Sequence, residues 1–305
     1  MKQLSRNSFE AAREFLVTKA HPLEFARFQH AFLGCPKEVV LEALDGFQNS
    51  DGGFGHGLEA DLRAPESSVL CTSVAFQILR SLNVSAEHKL VSSGMDFLMA
   101  NFDREQCGWR IIPESAEESP RAPWWHQKER EQEFATFSLN PTAEILGYML
   151  EYKELVAEVE IERVTEKVLS ELAAVSNVEM HDLLCCLRLF QASSLPQDHR
   201  KFLQDKLKTL IVETVSSVPK QWGAYGLRPL QVADTPESPF IEDLEDVVAA
   251  NLDYEIDSQN EDGSWTPTWS WGAMYPKEWV GAKGEWAGVL TLEKLLLLNK
   301  FSRIE

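Results

Sequence analysis

A dense polar cluster follows the first Gly-rich turn, His56-Gly57-Leu58-Glu59-Ala60-Asp61-Leu62-Arg63, with four ionisable side chains within eight residues. Glu59 and Asp61 are two positions apart, so an extended segment turns both carboxyls to one side. Two carboxyls sharing a low-dielectric site hold one proton between them, which makes one a general acid and the other a base. Asp61 or Glu59 is then the proton donor and His56 a further candidate. Arg63 either neutralises the pair or holds an anionic group of a ligand. A structural loop in which Asp61 and Arg63 cap helices is the competing reading. Tryptophan is the second signal: nine residues, at 109, 124, 125, 222, 265, 269, 271, 279 and 286. Indole faces stabilise carbocations, stack on sugars, or fill space between helices. Trp124, Trp125, Trp269 and Trp271 are the candidate ligand-binding residues, and His126 is a candidate acid or base. The spacing of His56, Glu59 and Asp61 matches no established ligand pattern, so no metal is expected. No Walker loop, dinucleotide fingerprint or Gly-x-Ser-x-Gly occurs, and no cofactor can be named. Gly52-Gly53-Phe54-Gly55 follows a helical pattern rather than a strand and is not a phosphate cradle.

Such groups need a frame, and the hydropathy pattern supplies a helical one. In residues 67–82, Leu70, Val74, Ile78 and Leu82 form one stripe, with Cys71, Ala75 and Leu79 beside it. Similar patterns cover about 8–18, 22–33, 36–47, 86–100, 141–153, 158–174, 179–192, 197–216, 240–256 and 285–299. Pro36 and Pro196 suit first helical turns, and Asn140-Pro141 and Ser238-Pro239 pair a cap residue with proline. Alternating strand patterns are absent. The expectation is an all-α chain of about eleven helices, with long stretches at 48–66, 102–139, 219–238 and 258–284 that carry function. The acidic run Glu242 to Asp246 reads as a solvated helix face. No composition shift or linker divides the chain, so residues 1–305 read as one domain.

The long stretches repeat a signature. Gln48-Asn49-Ser50-Asp51-Gly52-Gly53-Phe54 and Gln259-Asn260-Glu261-Asp262-Gly263-Ser264-Trp265 both follow a helix and both read Gln-Asn-x-Asp-Gly-small-aromatic. Degraded copies run from Asp103 to Trp109 and over Gln221-Trp222-Gly223. Asp-Gly makes a tight turn with a positive-φ position, glutamine bonds exposed backbone at a helix end, and the aromatic plugs the junction. Phe54 and Trp265 are therefore expected to be buried. Helical hairpins punctuated this way resemble the repeats of squalene–hopene cyclases, other class II terpenoid cyclases and protein prenyltransferase β-subunits. The chain is also similar to short bacterial prenyltransferase-like proteins. The resemblance implies an α/α toroid, two concentric rings of helices around a central cavity. The Asp-x-Asp-Asp acid of class II cyclases has no counterpart here, and the zinc triad of prenyltransferases cannot be mapped.

The 29 Lys and Arg against 48 Asp and Glu give a net charge of −19, a field that repels nucleic acid and anionic membrane surfaces. A small apolar or sugar-like ligand is the expected partner. Five cysteines, an odd number without CxxC spacing, read as reduced thiols. The first residues, MKQLSRNSFEAAREF, lack a signal-peptide core, and no apolar run is long enough to span a bilayer, so a cytoplasmic location is expected. Three function classes remain: an isoprenoid-processing enzyme working by acid-initiated cyclisation or prenyl transfer, a carbohydrate-active enzyme using the paired carboxylates, and a non-catalytic ligand-binding toroid. Oligomeric state is not encoded in any pattern found.

Overall fold

A computed structural model describes residues 2–305. Its α-helices in chain order are α1 (Arg6–Thr18), α2 (Pro22–Leu33), α3 (Glu38–Asp45), α4 (Val69–Ser81), α5 (Lys89–Ala100), α6 (Glu131–Ala135), α7 (Leu139–Glu151), α8 (Glu158–Ala174), α9 (Met180–Phe190), α10 (Gln197–Thr214), α11 (Pro229–Val232), α12 (Glu245–Asp257) and α13 (Pro276–Lys300). Local chemistry sets several starts. The hydroxyls of Ser5 and Ser68 accept from the backbone N–H of Ser8 and Cys71, and His21 Nδ1 accepts from Leu23 N with Pro22 in the first turn. The class is all-α, and a two-residue hairpin, β1 (Phe102–Asp103) with β2 (Gly108–Trp109), is the only paired-strand sheet among the described residues. Among the described residues no helix is long and apolar enough to cross a membrane. All five cysteines are free thiols, with Cys71, Cys185 and Cys186 buried.

Two boundaries depart from the periodic pattern. Helix α13 begins at Pro276, nine residues before the expected 285, because its first turns are solvated (Val280 is 72% exposed) and carry no apolar stripe. Helix α12 begins at Glu245 rather than near 240. Ser238 closes a turn instead, its hydroxyl accepting from Phe240 N and its carbonyl from Ile241 N. The acidic residues 242, 243, 245 and 246 are exposed as expected, but 242 and 243 lie in the turn before α12 rather than on a helix face.

The chain divides into two compact units, residues 1–44 with 215–305, and residues 45–214. In the first, α13 packs on α1 and α2. Phe9, Phe28 and Phe32 stack there at 5.0–5.9 Å. The chain ends meet in this unit: Leu4 pairs in parallel with Ile304, and Leu4 N donates to Arg303 O at 2.7 Å. In the second unit α7 is buried from Leu139 to Leu150 except Asn140, and it packs against α4, α8 and above all α9. The charge within the buried part of that helix, Glu144, is fully engaged: it receives Tyr148 Oη–H and Cys185 Sγ–H and pairs with Arg188 Nη1 at 2.9 Å. Burial and the Glu144 charge push the Tyr148 hydroxyl and the Cys185 thiol far up.

Each unit contains one full motif, and the two are built alike. Asn49 N donates to Gly53 O at 2.8 Å and Asn260 N to Ser264 O at 2.9 Å. Gly52 and Gly263 hold φ of 88° and 86°, and a Cβ on either would lie 2.3 Å from helix backbone, Ser93 O in one and Ala11 C in the other. Gln48 Nε2 donates to Gly52 O and to Leu90 O of α5; Gln259 Nε2 donates to Gly263 O and to Ser8 O of α1. The aromatic N–H lands on a threonine hydroxyl at 3.0 Å both times, Phe54 on Thr72 of α4 and Trp265 on Thr291 of α13. Asp51 receives its hydroxyl hydrogen bond from Ser67, whereas Asp262 receives it from Ser264 within the motif, both at 2.7 Å. Phe54 and Trp265 are 0% and 4% exposed, as the plug reading expects. The degraded copies keep a buried aromatic, Trp109 and Trp222, whose indole N–H groups donate to Leu98 O and Ser216 O.

Candidate functional site

The loop after the first motif is held against residues 120–126, within the same unit, by backbone hydrogen bonds. Arg63 N donates to Pro120 O at 3.0 Å, Ala122 N donates to Asp61 O at 2.8 Å, and Leu62 forms a bridge with Arg121. Glu59, Asp61 and Arg63 are thereby brought beside Trp124, Trp125 and His126. The Glu59 carboxyl is buried, and its Oε2 has no hydrogen-bond partner. Burial first, and the Asp61 charge second, push Glu59 well above the usual carboxylate range; the N–H groups of Asp61 and Leu62 and the Trp125 indole pull the other way and are outweighed. Its surroundings thus favour the protonated form of Glu59. Asp61 is 3% exposed. Cys71, at the start of α4, lies within reach of Glu59 and Arg63, and burial pushes its thiol up to about 11.

The two candidate histidines have partners of their own. His56 is exposed, with a φ of 54°, and its Nε2 pairs with Asn49 Oδ1 at 2.8 Å, so it serves the motif. His126 Nδ1 lies 2.9 Å from Arg121 Nη2 and 3.2 Å from Glu117 Oε2. Burial raises Glu117, but the Gln127 N–H and the charges of Arg121 and His126 outweigh it and hold that carboxyl below its usual range. Arg121, 2% exposed, also donates to Glu117 O and Ser119 O and so organises the turn under His126. Trp124 reaches the surface at 38% exposure. Trp269 and Trp271 belong to the other unit. There Trp269 packs edge-on against Trp286 at 5.1 Å and Tyr225 at 5.7 Å, while Trp271, fully buried, lies 5.5 Å from Trp279.

Sequence reasoning passes over Glu117, Arg121 and Cys71. Glu117 and Arg121 are spaced i, i+4 with His126 five further on, a charge pattern visible in principle. It also passes over Glu255, 1% exposed, whose Oε1 receives Arg228 at 2.9 Å and Lys294 at 3.0 Å. Among the described residues no group of three His, Cys, Asp or Glu side chains could hold a metal ion. A cavity of about 580 Å³ lies over the second motif, lined by Lys2, Ser5, Asp257 and Gln259 among others, and one of about 240 Å³ lies beside the β1–β2 hairpin, against Trp109, Arg110 and Phe137. Neither is lined by a candidate residue. Neither a family model nor a curated protein matches the chain.

Proposed function

We propose that the chain is an α/α toroid of the terpenoid cyclase and protein prenyltransferase kind that protonates an apolar, isoprenoid-like ligand from Glu59, opening an acid-initiated cyclisation or prenyl transfer. The toroid reading is supported by the matched motifs. The first docks on α5, the helix that follows α4, and the second docks on α1, so that α1 stands to α13 as α5 stands to α4. The acid reading is carried by one observation: the Glu59 carboxyl is buried, is pushed toward its protonated form, has an unpartnered oxygen and sits beside an indole. Asp61 raises the cost of ionising Glu59 and so keeps the proton available. Arg63 moderates the pair, and the Trp faces suit a developing cation.

The test is incubation of the purified protein with linear C10 to C30 isoprenoids, followed by gas chromatography and mass spectrometry, alongside analysis of co-purifying molecules. The expected result is rearranged product that disappears in Glu59→Gln while the circular dichroism spectrum is unchanged. Equal turnover by Glu59→Gln would refute the acid assignment. A second reading, a toroid that binds its ligand without turnover, places that ligand away from Glu59, as in the cavities of about 580 and 240 Å³, which Glu59 and Asp61 do not line. A bound isoprenoid with no product would decide for it.

A further inference from the structure

Within the proposed site, two neighbouring polar atoms are buried without a partner: Glu59 Oε2 and the Trp125 indole Nε1. The indole is near enough to the carboxyl to favour its charged form, yet neither atom reaches hydrogen-bond geometry with the other or with any protein group. Buried polar groups are paired in the great majority of cases, and leaving one unpaired is costly. Two such groups at one place make a specific demand. The indole can only donate, and a carboxyl that keeps its proton donates as well. One oxygen seated between them, accepting twice, answers both.

We propose that Glu59 and Trp125 together bind the oxygen of a ligand hydroxyl, which makes the substrate class of this site an isoprenoid alcohol rather than a plain hydrocarbon. This rests on the reading of Glu59 as the acid of the site. A hydroxyl is preferred over an ether or carbonyl because it serves both states of Glu59: it accepts from the protonated acid and donates to the carboxylate. A phosphate-bearing head is disfavoured, since Asp61 stands beside Glu59 and the chain carries a net charge of −19. Trp124 and His126, on either side of Trp125 in the chain, reach solvent while the polar ends of Glu59 and Trp125 do not. A water molecule offers the same chemistry, and the experiment separates the two sources.

The experiment follows indole N–H signals of ¹⁵N-labelled full-length protein, with Trp125 assigned from Trp125→Phe. A linear C10 prenyl alcohol and the C10 hydrocarbon of the same skeleton are titrated in parallel. The expected result is a saturable shift of the Trp125 signal by the alcohol and at least tenfold weaker binding of the hydrocarbon. Trp125→Phe should abolish that preference. The ligand series does not depend on the variant folding. Equal binding of alcohol and hydrocarbon, no binding of either, or a Trp125 signal that stays still while others move overturns the proposal. So does a crystal structure, soaked in the alcohol, that keeps water between Glu59 and Trp125. Turnover of the hydrocarbon that depends on Glu59 would leave the acid reading standing while this one falls. A Trp125 shift without turnover would do the reverse.

Discussion

Replacing Glu24 by glutamine should stabilise the protein at alkaline pH and change little in acid. Glu24 lies on α2, 6% exposed, in the unit where α2 packs on α13. Burial raises its pKa from 4.5 to about 7; the Arg27 charge and its own backbone N–H lower it, and Glu285 and Glu293 on α13 raise it further. The sign follows from proton binding. Between pH 4.5 and 7 the folded chain holds a proton that the unfolded chain has released, so stability falls as pH rises through that window. Below it the carboxyl is neutral in both states, and above it the full cost of the buried charge is present. At 1.36 kcal/mol per pH unit of difference, that cost is about 3 kcal/mol. Glutamine has the shape without the charge. Urea unfolding of the wild-type protein and Glu24→Gln, followed by far-ultraviolet circular dichroism from pH 4.5 to 8.5, should show curves nearly coincident at the acid end. At the alkaline end the variant should be about 3 kcal/mol more stable. Taking the difference between variants removes groups that titrate in both. A stability difference that is flat across the range, or a glutamine variant weaker at pH 8.5, would refute the reasoning.

The remaining expectations concern the motifs and the other buried carboxyls. Thr72→Val and Thr291→Val each leave one buried backbone N–H, of Phe54 or Trp265, without its acceptor, and each should cost about 1–3 kcal/mol by chemical denaturation. Similar losses in the two units would check that the motifs are equivalent. Phe54→Ala removes a fully buried ring and should cost about 3–5 kcal/mol in the same assay. Glu255→Gln strips the counter-charge from Arg228 and Lys294 and should lower stability by about 3 kcal/mol. Glu59→Gln, by contrast, should melt at or above the wild-type temperature at pH 8, because it removes a buried group that resists ionisation.

Helix positions are legible in the sequence where an apolar stripe meets a core, and illegible where it does not. The spacing predicts 158–174, and α8 has those bounds because Val164, Val168 and Leu172 face inward along its length. The first turns of α13 touch the core through Trp279 and Ala282 alone, too few for a stripe, so only Tyr275-Pro276 marks their start. The hairpin of β1 and β2 is too short for alternation to register; Asp103 builds it by accepting from the N–H groups of Glu105 and Gln106. At the candidate site, the spacing of Glu59 and Asp61 shows that two carboxyls share a loop. Their neighbours are invisible, since the bridge of Leu62 to Arg121 joins segments nearly sixty residues apart by backbone alone. Glu144 and Arg188 left a weaker trace, each a charge within an apolar helical pattern, which is the mark of a buried pair.

Three buried glutamates show why burial by itself does not identify a functional carboxyl. Glu144 is met by a tyrosine hydroxyl, a thiol and a guanidinium, and both its oxygens are engaged. Glu255 is met by two cations and the Asn251 amide on one oxygen, which compensates its charge even though the other oxygen has no partner. These arrangements answer the desolvation cost of the carboxylate inside the protein, and a ligand could add little to either. Glu59 is built otherwise. Its support comes from backbone N–H groups and an indole that does not quite reach it, its nearest charge is Asp61, of the same sign, and one of its oxygens is unmatched. A helix-packing role would select the first two environments, in which the carboxylate is stabilised. Raised pKa alone does not single Glu59 out, since burial and the like charges of Glu285 and Glu293 also raise Glu24; what distinguishes Glu59 is the unmatched oxygen beside a second unmatched group, the Trp125 indole, and on that the proposed acid role rests.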